Sequence, residues 1–87
     1  MTCDLNAVTT ALTEAPTGYE LLQEPTCSES YAVLRVGPAG ATDRAADLVI
    51  VMKRPAETWE TAAVVLPAEC RSVTASEPLF PASMCPT

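Results

Sequence analysis

Ala46-Asp47-Leu48-Val49-Ile50-Val51-Met52-Lys53-Arg54 is the stretch that decides the fold. Leu48 to Met52 is an unbroken apolar run, rich in β-branched residues and closed by two cations. β-Branched side chains are stiff at χ1 and suit a pleated surface better than a helix. The run is also far shorter than the roughly 20 residues a membrane-spanning helix needs. Asp47 before it and Arg54-Pro55 after it leave about seven residues, a common strand length. Leu48–Met52 is therefore predicted to be the central strand of a sheet, apolar on both faces. The competing reading, a short core helix, fits the length and the flanks less well.

The surroundings follow from this strand. Upstream, residues 2–14 read as a helix, with Thr2 or Asp4 as the cap and Leu5, Val8, Ala11 and Leu12 as its apolar stripe. Ala15-Pro16-Thr17-Gly18 ends it, because proline breaks the hydrogen-bond ladder and glycine suits the turn. Tyr19–Glu24 is a first strand, Pro25–Glu29 a turn, and Ser30–Val36 a second strand. In that second strand Ala32, Leu34 and Val36 form one apolar face, while Tyr31, Val33 and Arg35 form a mixed one. Gly37 to Arg44 is rich in turn formers and reads as a loop. Downstream, a fourth strand runs from about Thr58 to Leu66, with Trp59 near its start, and Pro67 stops it. From Ala68 on there is no sustained periodicity, and Pro78, Pro81 and Pro86 interrupt the segment.

Short links between strands call for antiparallel neighbours. The expected fold class is α+β: one N-terminal helix (about 2–14) packed on a four-stranded antiparallel sheet (about 19–66), with a disulfide-tied C-terminal tail (67–87). All 87 residues form one domain. The helix covers one face of the sheet. The second face needs another cover, for which the tail and a partner surface both qualify.

Composition narrows the function. The chain carries a net charge of −6 and no histidine. A phosphate-binding surface is disfavoured, and aromatics are not interleaved with cations as single-stranded nucleic acid requires. No membrane-spanning or leader segment is visible, so an exported protein would be represented here in its mature form, with Met1 an added start. Nearly half the residues are apolar, but Tyr19, Tyr31, Trp59 and Phe80 are the only aromatics. A core of Val, Leu and Ala buries little area per side chain, so covalent staples would help.

Four widely spaced cysteines, Cys3, Cys27, Cys70 and Cys85, can supply them. They lack the paired spacing of a zinc site or of a redox CxxC motif. An even count in a short chain fits disulfides formed in an oxidising compartment. Four cysteines allow three pairings. Cys3–Cys27 with Cys70–Cys85 would pin the helix start to the first turn and close the tail on itself. Cys3–Cys85 with Cys27–Cys70, joining the ends, is the alternative.

No catalytic constellation emerges, and the chain is expected not to be an enzyme. Without histidine there is no Ser-His-Asp or Cys-His arrangement. Glu57 and Glu60 near Trp59 read as solvated edge charges, and Glu24 and Glu29 as a polar turn around a buried disulfide at Cys27. Gly37-Pro38-Ala39-Gly40 lacks the lysine and the helix start of a phosphate loop. No cofactor or metal is called for. Trp59, Leu79 and Phe80 are the residues expected to contact a partner if they are not core, Leu79 and Phe80 from within the Cys70–Cys85 loop.

The segments GYELLQEPTCSESYAVLRV (residues 18–36), TWETAAVVLPAEC (residues 58–70) and SMCPT (residues 83–87), after a Cys-headed helix, resemble small domains of secreted actinobacterial proteins. The matching features are Cys27-Ser28-Glu29-Ser30-Tyr31-Ala32-Val33, Trp59 opening a later strand, and the Cys70/Cys85 pair. The resemblance implies an extracytoplasmic location and two disulfides, and it carries no activity. The expected function is a non-catalytic, secreted or cell-envelope binding domain. It would engage a protein or envelope component, with no nucleic acid and no membrane insertion. An inhibitor presenting the Cys70–Cys85 loop to an enzyme is the alternative. An enzyme or small-ligand carrier would need a deep polar pocket that the sequence does not announce.

Overall fold

A computed structural model describes residues 5–22, 25–28, 30–40 and 46–85. Helix α1 (Leu5–Glu14) leads into five antiparallel strands: β1 (Tyr19–Leu21), β2 (Thr26–Cys27), β3 (Tyr31–Pro38), β4 (Leu48–Lys53) and β5 (Glu60–Val65). Two 3-10 helices follow, Pro67–Ala75 and Ala82–Met84. The spatial order is β1-β3-β4-β5, with β2 also paired to β3. β4 is central, as the apolar run predicts.

Burial on β4 is complete on both sides. Val49, Ile50, Val51 and Met52 are all fully buried. Ile50 and Met52 join Ala32, Leu34, Val36, Ala11 and Trp59 in one cluster under α1. Val49 and Val51 join Val33, Cys70, Val73, Phe80 and Cys85 in a second cluster under the tail. The tail, of the two candidates, therefore covers the second face. Burying each such side chain is worth roughly 1.5–3 kcal/mol. The total stability of a small domain is about 5–15 kcal/mol, so neither layer is dispensable.

Several local expectations are corrected. The first strand is expected to reach Glu24, which lies outside the described residues with Gln23. It stops at Leu21, and pairing with β3 resumes at Thr26–Cys27, which raises the strand count from four to five. Pro25, with no N–H to give a ladder, stands in the break. β3 continues beyond Val36 through Gly37 and Pro38, opposite Glu20 and Tyr19. Of the expected stripe on α1, Ala11 is buried and Val8 packs beside it, as does Ala15 just past the helix end; Leu12 is exposed, and the Leu5 side chain is not among those described. The proposed caps Thr2 and Asp4 lie outside the described residues.

The tail is helical where no periodicity is visible. Pro67 ends β5 and also opens the longer 3-10 helix, at a first position whose N–H would have no helical partner anyway. A 3-10 helix repeats every three residues, so Cys70 and Val73 point the same way and are the two it buries. Cys70 is bonded to Cys85. A loop of this size restrains the unfolded chain by roughly 3 kcal/mol in the chain-entropy treatment. Cys27 is disulfide-bonded too, and its expected partner, Cys3, lies outside the described residues.

One buried charge braces the start of β4. Asp47 is fully buried, and its Oδ2 accepts hydrogen bonds from Arg35 Nε at 3.3 Å and Nη2 at 3.1 Å. Its carboxylate lies so close to Gly37 that a Cβ there would collide with it, and would come within 2.8 Å of Leu22. Gly37→Ala is thus expected to destabilise the fold by about 1–3 kcal/mol, the usual cost of overpacking. Urea denaturation should show a lower midpoint at unchanged slope, and an unchanged midpoint would refute the close approach.

Candidate functional site

Antiparallel register brings Tyr31, at the start of β3, opposite Lys53, at the end of β4. The turn before β3 is shaped by Ser28, whose Oγ accepts from the Tyr31 N–H at 3.1 Å. Beyond β4 the Arg54 N–H donates to the Ser30 carbonyl at 2.9 Å. These bonds fix one end of the sheet. The tail crosses that end at Glu77, whose N–H is held by the Val73 carbonyl at 2.8 Å.

Glu77 ties tail to sheet. Its Oε1 accepts from the Tyr31 hydroxyl at 3.3 Å, and its Oε2 lies 3.4 Å from Lys53 Nζ. Lys53 also reaches Glu60 at 3.8 Å. The Tyr31 ring meets Phe80 edge-on, with centroids 5.4 Å apart. Tyr31 thus contacts the tail-side core with its ring and the tail carboxylate with its hydroxyl.

Above this junction opens a cleft of about 680 Å³. Tyr31, Lys53 and Glu77 line it together with Ser28, Ser30 and Arg54. Its apolar rim is Pro55, Leu79 and Pro81. Leu79 is 86% exposed, far more than any other large apolar side chain described. The cleft offers hydroxyls, a carboxylate and two cations beside an apolar wall.

The three sequence-predicted contact residues part company. Leu79 lines the cleft. Phe80, next to it, turns inward and is 3% exposed in the tail-side core. Trp59 is buried in the helix-side core, with the Arg54 guanidinium 5.2 Å from its ring centroid. Arg54 therefore spans from Trp59 to the cleft. Glu57 is exposed, Glu60 pairs with Lys53, and Glu24 and Glu29 lie outside the described residues. Sequence reading missed Glu77, Ser28 and Ser30. The SxS spacing before a strand was a usable turn signal, whereas nothing in the sequence places Glu77 against Lys53.

Among the described residues no three Asp, Glu or Cys side chains gather as metal ligands, and no helix is long and apolar enough to cross a membrane. Comparisons with protein-family models, curated proteins and solved structures returned no match to this chain.

Loss of hydration at the junction and the adjacent Glu77 charge, which also accepts its hydrogen bond, raise the Tyr31 phenol above its ordinary value; Lys53 partly offsets them. A group whose folded value is raised stabilises the fold below its unfolded value. That contribution is lost as pH climbs from about 10 through the higher folded value. Glu77→Gln is expected to bring the Tyr31 titration back down toward about 10. Tyrosinate absorbance, assigned with Tyr31→Phe, reads this, and an unmoved titration would dissociate Glu77 from Tyr31.

Proposed function

We propose that this chain is a non-catalytic, extracytoplasmic binding module that engages a protein or cell-envelope component through the Leu79-rimmed cleft. The observation that carries the reading is the combination of a filled sheet and an unfilled cleft. Both sheet faces are covered by the chain's own helix and tail, so the open sheet face considered from the sequence is not available as a docking surface. The cleft instead joins an exposed leucine to paired polar groups. An apolar anchor beside hydrogen-bonding groups is the pattern of a recognition surface.

The cleft's own chemistry describes its occupant. Lys53 and Arg54 sit in it, in a chain of net charge −6. A segment with an acidic group and a neighbouring apolar side chain matches the cations and the Leu79–Pro81 wall. The Cys70–Cys85 bond supports an oxidising compartment, as does the resemblance to secreted domains. A Cys3–Cys27 bond completes this reading. Non-reducing peptide mapping is expected to recover it, and a free Cys3 thiol would count against the location.

Leu79 within a disulfide-closed loop also favours a second reading, an inhibitor presenting that loop to an enzyme. Its contact residue would be Leu79, with Phe80 beneath as the plug. For either reading, Leu79→Asp should reduce partner binding at least tenfold while the melting temperature holds. Phe80→Ala should instead lower stability by about 3–5 kcal/mol, as for buried aromatics generally. Binding isotherms of the purified variants with a partner captured from envelope extracts, or with a candidate protease, make the comparison. Unchanged affinity of Leu79→Asp would reject the cleft.

A further inference from the structure

The sheet has two edges, and they are unlike. On one side β1 and β2 are three and two residues long, with Pro25 between them. Short, interrupted strands make a poor template for pairing. On the other side β5 runs six residues, Glu60–Val65, with one charge, and proline first appears at Pro67. Among the described residues no strand pairs with its outer side. Beside it stand exposed apolar side chains. Val64 is 43% and Leu66 45% exposed, and Leu12, on the helix over the same face, is 40% exposed.

We propose that β5 pairs with β5 of a second copy of this chain, antiparallel about a two-fold axis between Ala62 and Ala63. The strand meets the demands of its own partner. In this register Thr61 faces the partner's Val64, Ala62 faces the partner's Ala63, and Glu60 faces the partner's Val65. Opposed residues in an antiparallel ladder share a face. Thr61 and Val64 pair with Met52 and Ile50 of the helix-side core, so both belong to that face. Ala62, Ala63 and Val65 pack on the tail-side core. Glu60 lies opposite Lys53, which reaches Glu77 of the tail. Every opposed pair therefore joins like faces. The irregularity at Val51/Met52 adds one residue to β5 and makes this possible, because it sets Ala62 and Ala63 on the same side.

Charge selects the direction. Glu60 is the strand's lone ionised group and sits at one end. Antiparallel pairing separates the two glutamates by about five residues, roughly 17 Å, beyond the Debye length of about 8 Å at physiological salt. In-register parallel pairing would set them side by side. The two-fold arrangement also sets the exposed Val64 of each copy beside the partner's Thr61 on the helix side. Two copies of net charge −6 repel, so added salt should strengthen the association. Docking into the charged cleft would weaken with salt.

Sedimentation equilibrium of the full chain tests this from about 10 µM to about 1 mM, the range of weak association. The expected result is a twofold rise in mass with concentration, reached earlier at high salt and abolished by Val64→Lys. Leu79→Asp, in the cleft, should leave the dimer intact. Hydrogen exchange on the wild type gives a readout independent of variant folding, since β5 amides should slow as concentration rises. A wild-type chain that stays monomeric throughout overturns the proposal. So does a dimer that survives Val64→Lys, dissolves with Leu79→Asp, or forms without slowing β5 exchange, and so does an unrelated peptide pairing with β5 while the chain stays monomeric.

Discussion

Everything in this structure depends on β4 being apolar on both sides. Four consecutive buried residues, Val49 to Met52, cannot be served by one layer. A strand sends alternate side chains to opposite faces, so each face must find its own cover. The helix supplies one and the 3-10 tail the other. The tail has few large side chains to contribute. Val73, Phe80 and the Cys70–Cys85 bridge do most of its covering, and the bridge holds them in place.

Polar groups secure the two ends of the central strand. At its start the Arg35 guanidinium meets the buried Asp47 carboxylate, and Gly37 leaves room for that carboxylate. At its end Lys53 and Tyr31 meet Glu77. A buried ion pair adds little net stability, because desolvation offsets its attraction, but removing one partner is costly. Such pairs fix geometry. The cleft arises at the second of these ends, where the sheet stops and the tail turns across it, and where side chains from separate segments converge.

Much of the fold was legible. The apolar run Leu48–Met52 announced the central strand, and the alternation of Ala32, Leu34 and Val36 announced the buried face of β3. The Cys70–Cys85 bridge was also anticipated. What escaped reading was local competition. Pro25 split the first strand in two, and a three-residue period in the tail left no trace in a search for strand or α-helix repeats. The candidate site was less legible. Hydrophobicity alone could not tell Leu79 from Phe80, since which neighbour turns inward depends on the path of the loop. Glu77 joins the site through a contact spanning 46 residues of sequence, which no local pattern encodes.

The placement of the second layer also matters for how the molecule comes into being. The segment that seals the tail-side face lies after every strand in the chain. Val33, Val49 and Val51 therefore find their tail-side cover only in residues that are made after β5. Cys70 then waits for Cys85, fifteen residues behind it, before the closing bond can form. Closing the tail-side face thus depends on segments distant in sequence from the strands they cover, and on the oxidant that joins Cys70 to Cys85.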